Sequence, residues 1–326
     1  MVPEDDHEAA PGDGPLRIEL GPGEAGSRVD AWLPRALPGV SRSRARHLAE
    51  EGRIRLAGGR VLRKGDRLPA GAVVLVDESP AAREEIRAIP ADDPRVETVF
   101  DEDGLVVLSK PPGMPTVPLR PGEVGTVANV LAARHPEALG FDPVEGGLLQ
   151  RLDRDTSGLL VAAVVESVYE LLLAVRRGVG FEKGYLALVA GSPAPETLLD
   201  GAIAPVPGDD RRVRVLPPEQ DPEEVAGALA AASFIEAVDP LPDDLALVLV
   251  RAVTGRRHQI RAHLAAAGHP LVGDTLYGGP ERSGLNRHFL HAHELALPHP
   301  TEESVIRVRS PLPEDLQAVL TPLYPE

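Results

Sequence analysis

Arg151-Leu152-Asp153-Arg154-Asp155-Thr156-Ser157-Gly158 packs two acids, two arginines and two hydroxyls into eight residues closed by a glycine. Apolar runs flank it, Gly147-Leu148-Leu149 before and Leu159-Leu160-Val161-Ala162-Ala163-Val164-Val165 after. Charges held between buried strands cost roughly several kcal/mol unless they are paired or used. The stretch therefore predicts a polar turn leading into a strand over 158–165, a place where a folded chain can carry a reactive carboxylate.

A second block follows about a hundred residues later. Thr254-Gly255-Arg256-Arg257-His258-Gln259-Ile260-Arg261-Ala262-His263-Leu264 reads as a turn and a short basic helix, and Gly268 to Gly279 as a glycine-closed loop. A guanidinium beside a carboxylate keeps it ionised and oriented at neutral pH. Between and around these blocks, strands are predicted at 96–100, 105–109, 185–189, 234–238 and 245–252, and helices at 127–133 and 167–177. Strands and helices interleaved without a regular βαβ spacing predict an α+β fold with a mixed, largely antiparallel sheet.

The stretch Arg151–Gly158 resembles the signature of the RluA-type RNA pseudouridine synthases, His-Arg-Leu-Asp-x-x-Thr-Ser-Gly. The resemblance continues in Lys110-Pro111-Pro112-Gly113, in Lys183-Gly184-Tyr185, in the Thr254 to Gly279 block, and in Leu290-His291-Ala292-His293-Glu294-Leu295. Five blocks in the family's order are far more specific than any one of them. The chain departs from the pattern at Gln150, where most relatives have His.

The resemblance implies isomerisation of uridines to pseudouridine in structured RNA, in large-subunit ribosomal RNA rather than transfer RNA, with no cofactor and no metal. Asp153 matches the family's catalytic acid, Arg261 the arginine that pairs with it, and Tyr185 the tyrosine that stacks on the target base. Arg151 would fill the space left by the flipped base. Arg154, Thr156, His258, Gln259 and Leu276 fall among the substrate-binding positions, with Leu276 and Tyr277 as packing residues that shape the pocket wall. Asp155 is expected to cap the turn.

The formal charge of −16 speaks against an RNA binder only as a whole-chain sum. From Arg28 to Arg67, eleven cations stand against four acids. A helical face of Val29, Trp32, Leu33 and Leu37, a second helix begun by Ser41, and short strands at 52–56 and 73–76 resemble the alpha-L RNA-binding domain of a small-subunit ribosomal protein. On that reading Arg42, Arg44, Arg46 and Arg53 meet RNA phosphates. Residues 1–14 are then a disordered tail, 15–79 the small α/β RNA-binding domain, 80–94 a linker and 95–326 the catalytic domain.

No cysteine is present, which suits a cytoplasmic protein. No apolar run approaches bilayer length, and RNA is the expected partner of a monomer. Seven of ten histidines follow residue 257, but His258 and His263 diverge by about 140° on a helix, against the four-residue spacing of zinc-binding pairs. Two other classes compete. Asp153-Arg154-Asp155-Thr156 also looks like the nucleophile loop of magnesium-dependent haloacid-dehalogenase phosphatases, which wants a purely apolar strand directly before the first Asp. An RNA-binding ribosome assembly factor with a decayed site is the other.

Overall fold

The apolar run after the acidic turn forms β6 (Ser157–Ala163), and every residue of it is buried. Its two faces feed different cores. Leu160 and Ala162 join Val106, Leu108, Leu131 and Val189; Leu159 and Val161 join Leu105, Val107, Leu172 and Leu297. A strand covered on both sides reads as an unbroken apolar run rather than an alternation. Each fully buried Leu or Val there contributes roughly 1.5–3 kcal/mol.

This computed structural model describes residues 15–37, 40, 45, 48–63, 65–77, 86–176 and 180–324. The expectations for residues 1–14, Ser41, Arg42, Arg44 and Arg46 lie outside those described. The chain divides into two units, Met1–Glu85 and Ile86–Glu326.

In the first unit, β1 (Leu16–Glu19), β2 (Ile54–Leu56) and β3 (Val73–Val76) form an antiparallel sheet in the order β1-β3-β2. Helix α1 (Val29–Ala36) buries Val29, Trp32 and Leu33 against Leu48, Ile54 and Leu62. Leu37 lies just past its end, half-buried. The periodicity at 29–33 thus marks a real face, while β1 was not legible in the short Leu-Arg-Ile-Glu segment.

The second unit is built on a nine-stranded sheet. Its strands are β4 (Glu97–Glu102), β5 (Leu105–Lys110), β6, β7 (Glu182–Ala190), β8 (Thr197–Asp200), β11 (Ala232–Leu241), β12 (Leu245–Ala252), β13 (Leu290–Pro298) and β14 (Val305–Arg309). The order is β4-β5-β6-β13-β7-β12-β11-β8, with β14 also on β13. Pairing is antiparallel except where β6 and β13 run parallel at Ser157 and Gly158. The hairpin of β9 (Ile203–Val206) and β10 (Asp209–Val215) stands apart from this sheet. Helices α2 (Val127–Arg134), α3 (Glu166–Arg176), α4 (Gln259–Ala266) and α5 (Glu314–Leu320) complete the unit. A reciprocal capping box between Thr126 and Asn129 starts α2.

One row of paired residues crosses the centre of the sheet. Lys110 pairs with Gly158, Gly158 with Ala292, Ala292 with Tyr185, and Tyr185 with Val250. Gly158 has φ +111, and a Cβ there would sit 2.2 Å from the Ala292 carbonyl oxygen. Only glycine lets β6 and β13 approach at this point.

Residues 86–94, expected as the end of a linker, instead belong to the second unit. Ala88 is buried in its core, the Ala88 N–H donates to the Pro143 carbonyl, and Asn129 donates to the Ile89 carbonyl. Among the described residues no helix is long and apolar enough to cross a membrane.

Candidate active site

The turn before β6 is held from both sides. The Thr156 N–H donates to the Asp153 carbonyl and closes it (3.1 Å). Lys110, on the adjacent strand and 1% exposed, donates from Nζ to the carbonyls of Pro111 (2.9 Å), Met114 (2.8 Å) and Arg154 (2.8 Å). Burial pushes its ammonium down, to about 7. The three carbonyl acceptors pull the other way, because a neutral amine has only two N–H groups to give. Thr116 brackets Leu152, its hydroxyl donating to the Leu152 carbonyl and accepting from the Leu152 N–H.

From the opposite side, residues 287–291 reach the same turn. Arg287 donates to the Asp155 carbonyl (2.9 Å) and the Ser157 hydroxyl (3.2 Å), and is itself held by Asp315 on α5. His288 Nε2 meets the Thr156 hydroxyl at 2.8 Å, and His291 Nδ1 the Ser157 hydroxyl at 3.0 Å. His291 Nε2 faces the Ser310 carbonyl, which can only accept, so Nδ1 is the acceptor for Ser157. Burial holds His288 down to about 2 and His291 down to about 4, so both are neutral.

Asp153, half-buried, projects from this clamped turn. Arg261 Nη1 donates to its Oδ2 at 3.2 Å, and His258 Nε2 lies 3.8 Å from the same oxygen. Among the described residues no hydrogen bond reaches Oδ1. Arg261 enters from α4 and is 7% exposed. Its Nε and Nη2 form a bidentate pair with Asp274 at 2.7 and 2.8 Å. Burial is the strongest single influence and works against its charge, but the hydrogen bonds and negative charges of Asp274 and Asp153 together outweigh it and raise the guanidinium. The Tyr277 ring lies under the guanidinium, 5.1 Å away.

Tyr185 reaches Asp153 through the Lys110–Val250 row of the sheet. It lies in the interior of β7, 8% exposed. Burial raises its hydroxyl, and the negative charge of Asp153 raises it further. The structure thus brings Asp153, Tyr185 and the pair Arg261 and His258 together from three separate segments.

Other expected residues are placed differently. Arg151 is exposed in an irregular segment, 4.0 Å from Glu145, and does not alternate with Asp153 along a strand. Arg154 is exposed, but its Nε donates to the Gly113 carbonyl. Thr156 is buried and engaged by His288 rather than open to a ligand. Gln259 departs from the expectation of a substrate contact. Its Oε1 accepts from the Thr254 hydroxyl and the Arg256 N–H, and its Nε2 donates to the Ala232 carbonyl and the Ser233 hydroxyl.

Asp155 does not cap the turn. It is exposed, and its backbone carbonyl, taken by Arg287, is the part that matters. Leu276 is half-buried and lines a shallow cleft of about 380 Å³ with Asp209, Arg211, Arg212 and Thr275. Arg53, in the first unit, lies 3.7 Å from Glu51. Gln150 donates to the Leu159 carbonyl, while among the described residues its buried Oε1 has no hydrogen-bond partner.

Asp274, Arg287, His288 and Asp315 were not singled out from the sequence as site residues, and Tyr277 was read only as a packing residue of the pocket wall. The motif Gly273-Asp274-Thr275-Leu276-Tyr277 carried a signal, since a buried acid next to a basic helix asks for a guanidinium. Arg287 and Asp315 carried none. No group of three or more His, Asp or Glu among the described residues is gathered as a metal site. The segment before Asp153 is not a strand of the sheet, so the phosphatase pattern of an apolar strand ending at the first acid is not met.

Comparison with known proteins places this geometry. Residues 104–266 match the model of the RNA pseudouridylate synthase family, and residues 27–74 that of the S4 domain. An uncharacterized RNA pseudouridine synthase of Chloroflexus aurantiacus is 35% identical over 308 residues, 94% of this chain and 93% of that one. The ribosomal large subunit pseudouridine synthase D of Xylella fastidiosa is 32% identical, over 92% of this chain and 90% of its own. The structure of human RNA pseudouridylate synthase domain containing 1 superposes with a TM-score of 0.52 at 26% identity, covering 71% of this chain and 89% of its own.

Proposed function

The chain belongs to the RNA pseudouridylate synthase family, and from that premise we propose that it isomerises uridine in large-subunit ribosomal RNA, with Asp153 as the catalytic carboxylate. The observation that carries the residue assignment is the convergence on Asp153 of Arg261, His258 and Tyr185 from α4, its N-terminus and β7. The ribosomal substrate is supported by relatives named for the large ribosomal subunit, which this chain matches over nine-tenths of its length.

The reaction needs no net oxidant or reductant. The bond from N1 of uracil to C1′ of the ribose breaks, the ring turns, a bond from C5 to C1′ forms, and C5 loses the proton that N1 regains. Asp153 works at the sugar or at the base from its open Oδ1, and Arg261 holds the carboxylate in place through Oδ2. Tyr185 supplies an aromatic face to a base taken out of its stack, a contact worth about 1–3 kcal/mol. Arg151, exposed beside the site, occupies the gap that the base leaves. The first unit adds phosphate contacts, so affinity falls with salt.

The test is pseudouridine mapping of total RNA from cells with and without the gene, rescued by wild type or by Asp153→Asn. Sites that vanish and return only with wild type support the reading. Full rescue by Asp153→Asn refutes it, and a map that changes only in transfer RNA refutes the ribosomal substrate.

A further inference from the structure

His258 is the one non-glycine residue of the site in the left-handed region, at φ 52, where it forms the N-cap of α4 without a side-chain capping bond. A side chain held in such a backbone needs surrounding contacts that fix it. Those contacts are present. The Val213 N–H on β10 donates to the Tyr277 hydroxyl oxygen at 2.9 Å, and that hydroxyl lies 3.1 Å from His258 Nδ1. The two rings meet edge to face, with centroids 5.8 Å apart.

With the Val213 N–H donating to the tyrosine oxygen, the O–H hydrogen needs an acceptor, and His258 Nδ1 is the one in reach. Neutral His258 then carries its proton on Nε2, the nitrogen facing Asp153 Oδ2. Burial holds His258 neutral, against the pull of Asp153 and Asp274 and with the push of Arg261 and Arg257. Arg257 fastens the same corner, donating to the backbone carbonyls of Asp210 and Arg211.

We propose that Tyr277 locks His258 as the Nε2–H tautomer, and that His258 is a positioning residue which, with Arg261, grips Oδ2 of Asp153 and leaves Oδ1 as the reacting oxygen. This rests on the assignment of Asp153 as the catalytic carboxylate. It gives the β9–β10 hairpin a role in the chemistry, through the chain Val213 to Tyr277 to His258 to Asp153. The gap of 3.8 Å closes to hydrogen-bond distance when the site tightens on its substrate.

The test compares Tyr277→Phe, His258→Gln and His258→Ala in the full chain. Tyr277→Phe keeps the ring under Arg261 and removes only the hydroxyl, and His258→Gln keeps an N–H donor near the Nε2 position. Proton–nitrogen correlation spectra of ¹⁵N-histidine protein should show His258 as the Nε2–H form in wild type and a mixture of tautomers in Tyr277→Phe. Single-turnover rates on a large-subunit ribosomal RNA transcript tritiated at uridine C5 should fall about tenfold in Tyr277→Phe and more in His258→Ala. Gln should restore most of the rate, with RNA affinity unchanged throughout. An Nδ1–H tautomer in wild type overturns the proposal, and so do rates within twofold of wild type or losses confined to RNA affinity. The spectra need no RNA, so they decide the lock even if the transcript is not the substrate.

Discussion

Asp274→Asn isolates the device that holds Arg261 against Asp153. Asp274 is 1% exposed and accepts two hydrogen bonds from Arg261 at 2.7 and 2.8 Å, while Asp153 accepts one from it at 3.2 Å. The substitution changes almost no volume. It removes the compensating charge and turns one acceptor into a donor that faces an N–H. Breaking a buried pair in this way costs about 3–5 kcal/mol, because the guanidinium stays buried without its partner. For a unit of this size, each kcal/mol is roughly 2–4 °C in Tm, so a fall of about 6–20 °C is expected by calorimetry. Arg261 should then shift toward Asp153, and the single-turnover rate should drop by about tenfold to a hundredfold.

The control is Arg261→Met with Asp274→Leu, which replaces the pair by apolar groups of similar size. Such replacements are about neutral in stability. The double variant should therefore recover most of the lost Tm but, with Arg261 gone, lose activity altogether. A Tm for Asp274→Asn within about 2 °C of wild type would refute the reasoning, as would activity in the double variant.

Three further outcomes are expected from the same geometry. His288 and His291 are held down to about 2 and about 4, below the ~6.5 of an unfolded His, so as pH falls the unfolded chain takes up those protons first. Their stability contribution is complete above about pH 6.5 and declines below it by ~1.4 kcal/mol per pH unit each; the two together cost about 4 kcal/mol at pH 5. Urea midpoints that are equal at pH 7 and pH 5 would contradict this, and His291→Gln should lessen the slope. Lys110→Met removes an ammonium whose burial, from 10.5 to about 7, costs about 5 kcal/mol, against three carbonyl bonds worth about the same. Its Tm should move by only a few degrees while the freed turn slows turnover at least tenfold; an unchanged rate would sink the clamp. Gly158→Ala drives a Cβ to 2.2 Å from the Ala292 carbonyl at φ +111, so the β6–β13 junction should open, with a loss of at least ~3 kcal/mol in chemical melts. A stable, active Gly158→Ala protein would show that the junction does not need the glycine.

The sequence carried the turn and the strand after it because Asp153, its neighbouring arginines and the all-apolar 159–163 run are local signals that need no partner to be read. Arg261 was legible as a partner for the acid only through the family resemblance, because Arg256 and Arg257 in the same block are equally basic. What stayed hidden depends on register. Tyr185 was named only through the resemblance; its place in the row depends on β13 inserting between β6 and β7, and nothing in either strand announces that order. Arg287 and His288 act from more than a hundred residues away on a backbone carbonyl and a threonine hydroxyl. Gln259 looked available because it is polar and next to the motif's arginines, yet its amide is consumed in joining the Thr254 turn to the Ala232–Ser233 strand. Strands such as β8 and β14 sit at the sheet's margins with exposed residues at alternate positions, so little apolar pattern marked them.

The central claim is that Asp153, clamped by Lys110 and Arg287 and gripped at Oδ2, performs the isomerisation. Tritium release from C5-labelled uridine in a large-subunit ribosomal RNA transcript tests it most directly, because the C5 proton leaves only if the ring is rejoined through carbon. Wild type should release tritium in proportion to the pseudouridine formed, and Asp153→Asn should release none while binding the RNA as tightly. Release by Asp153→Asn at the wild-type rate would contradict the account.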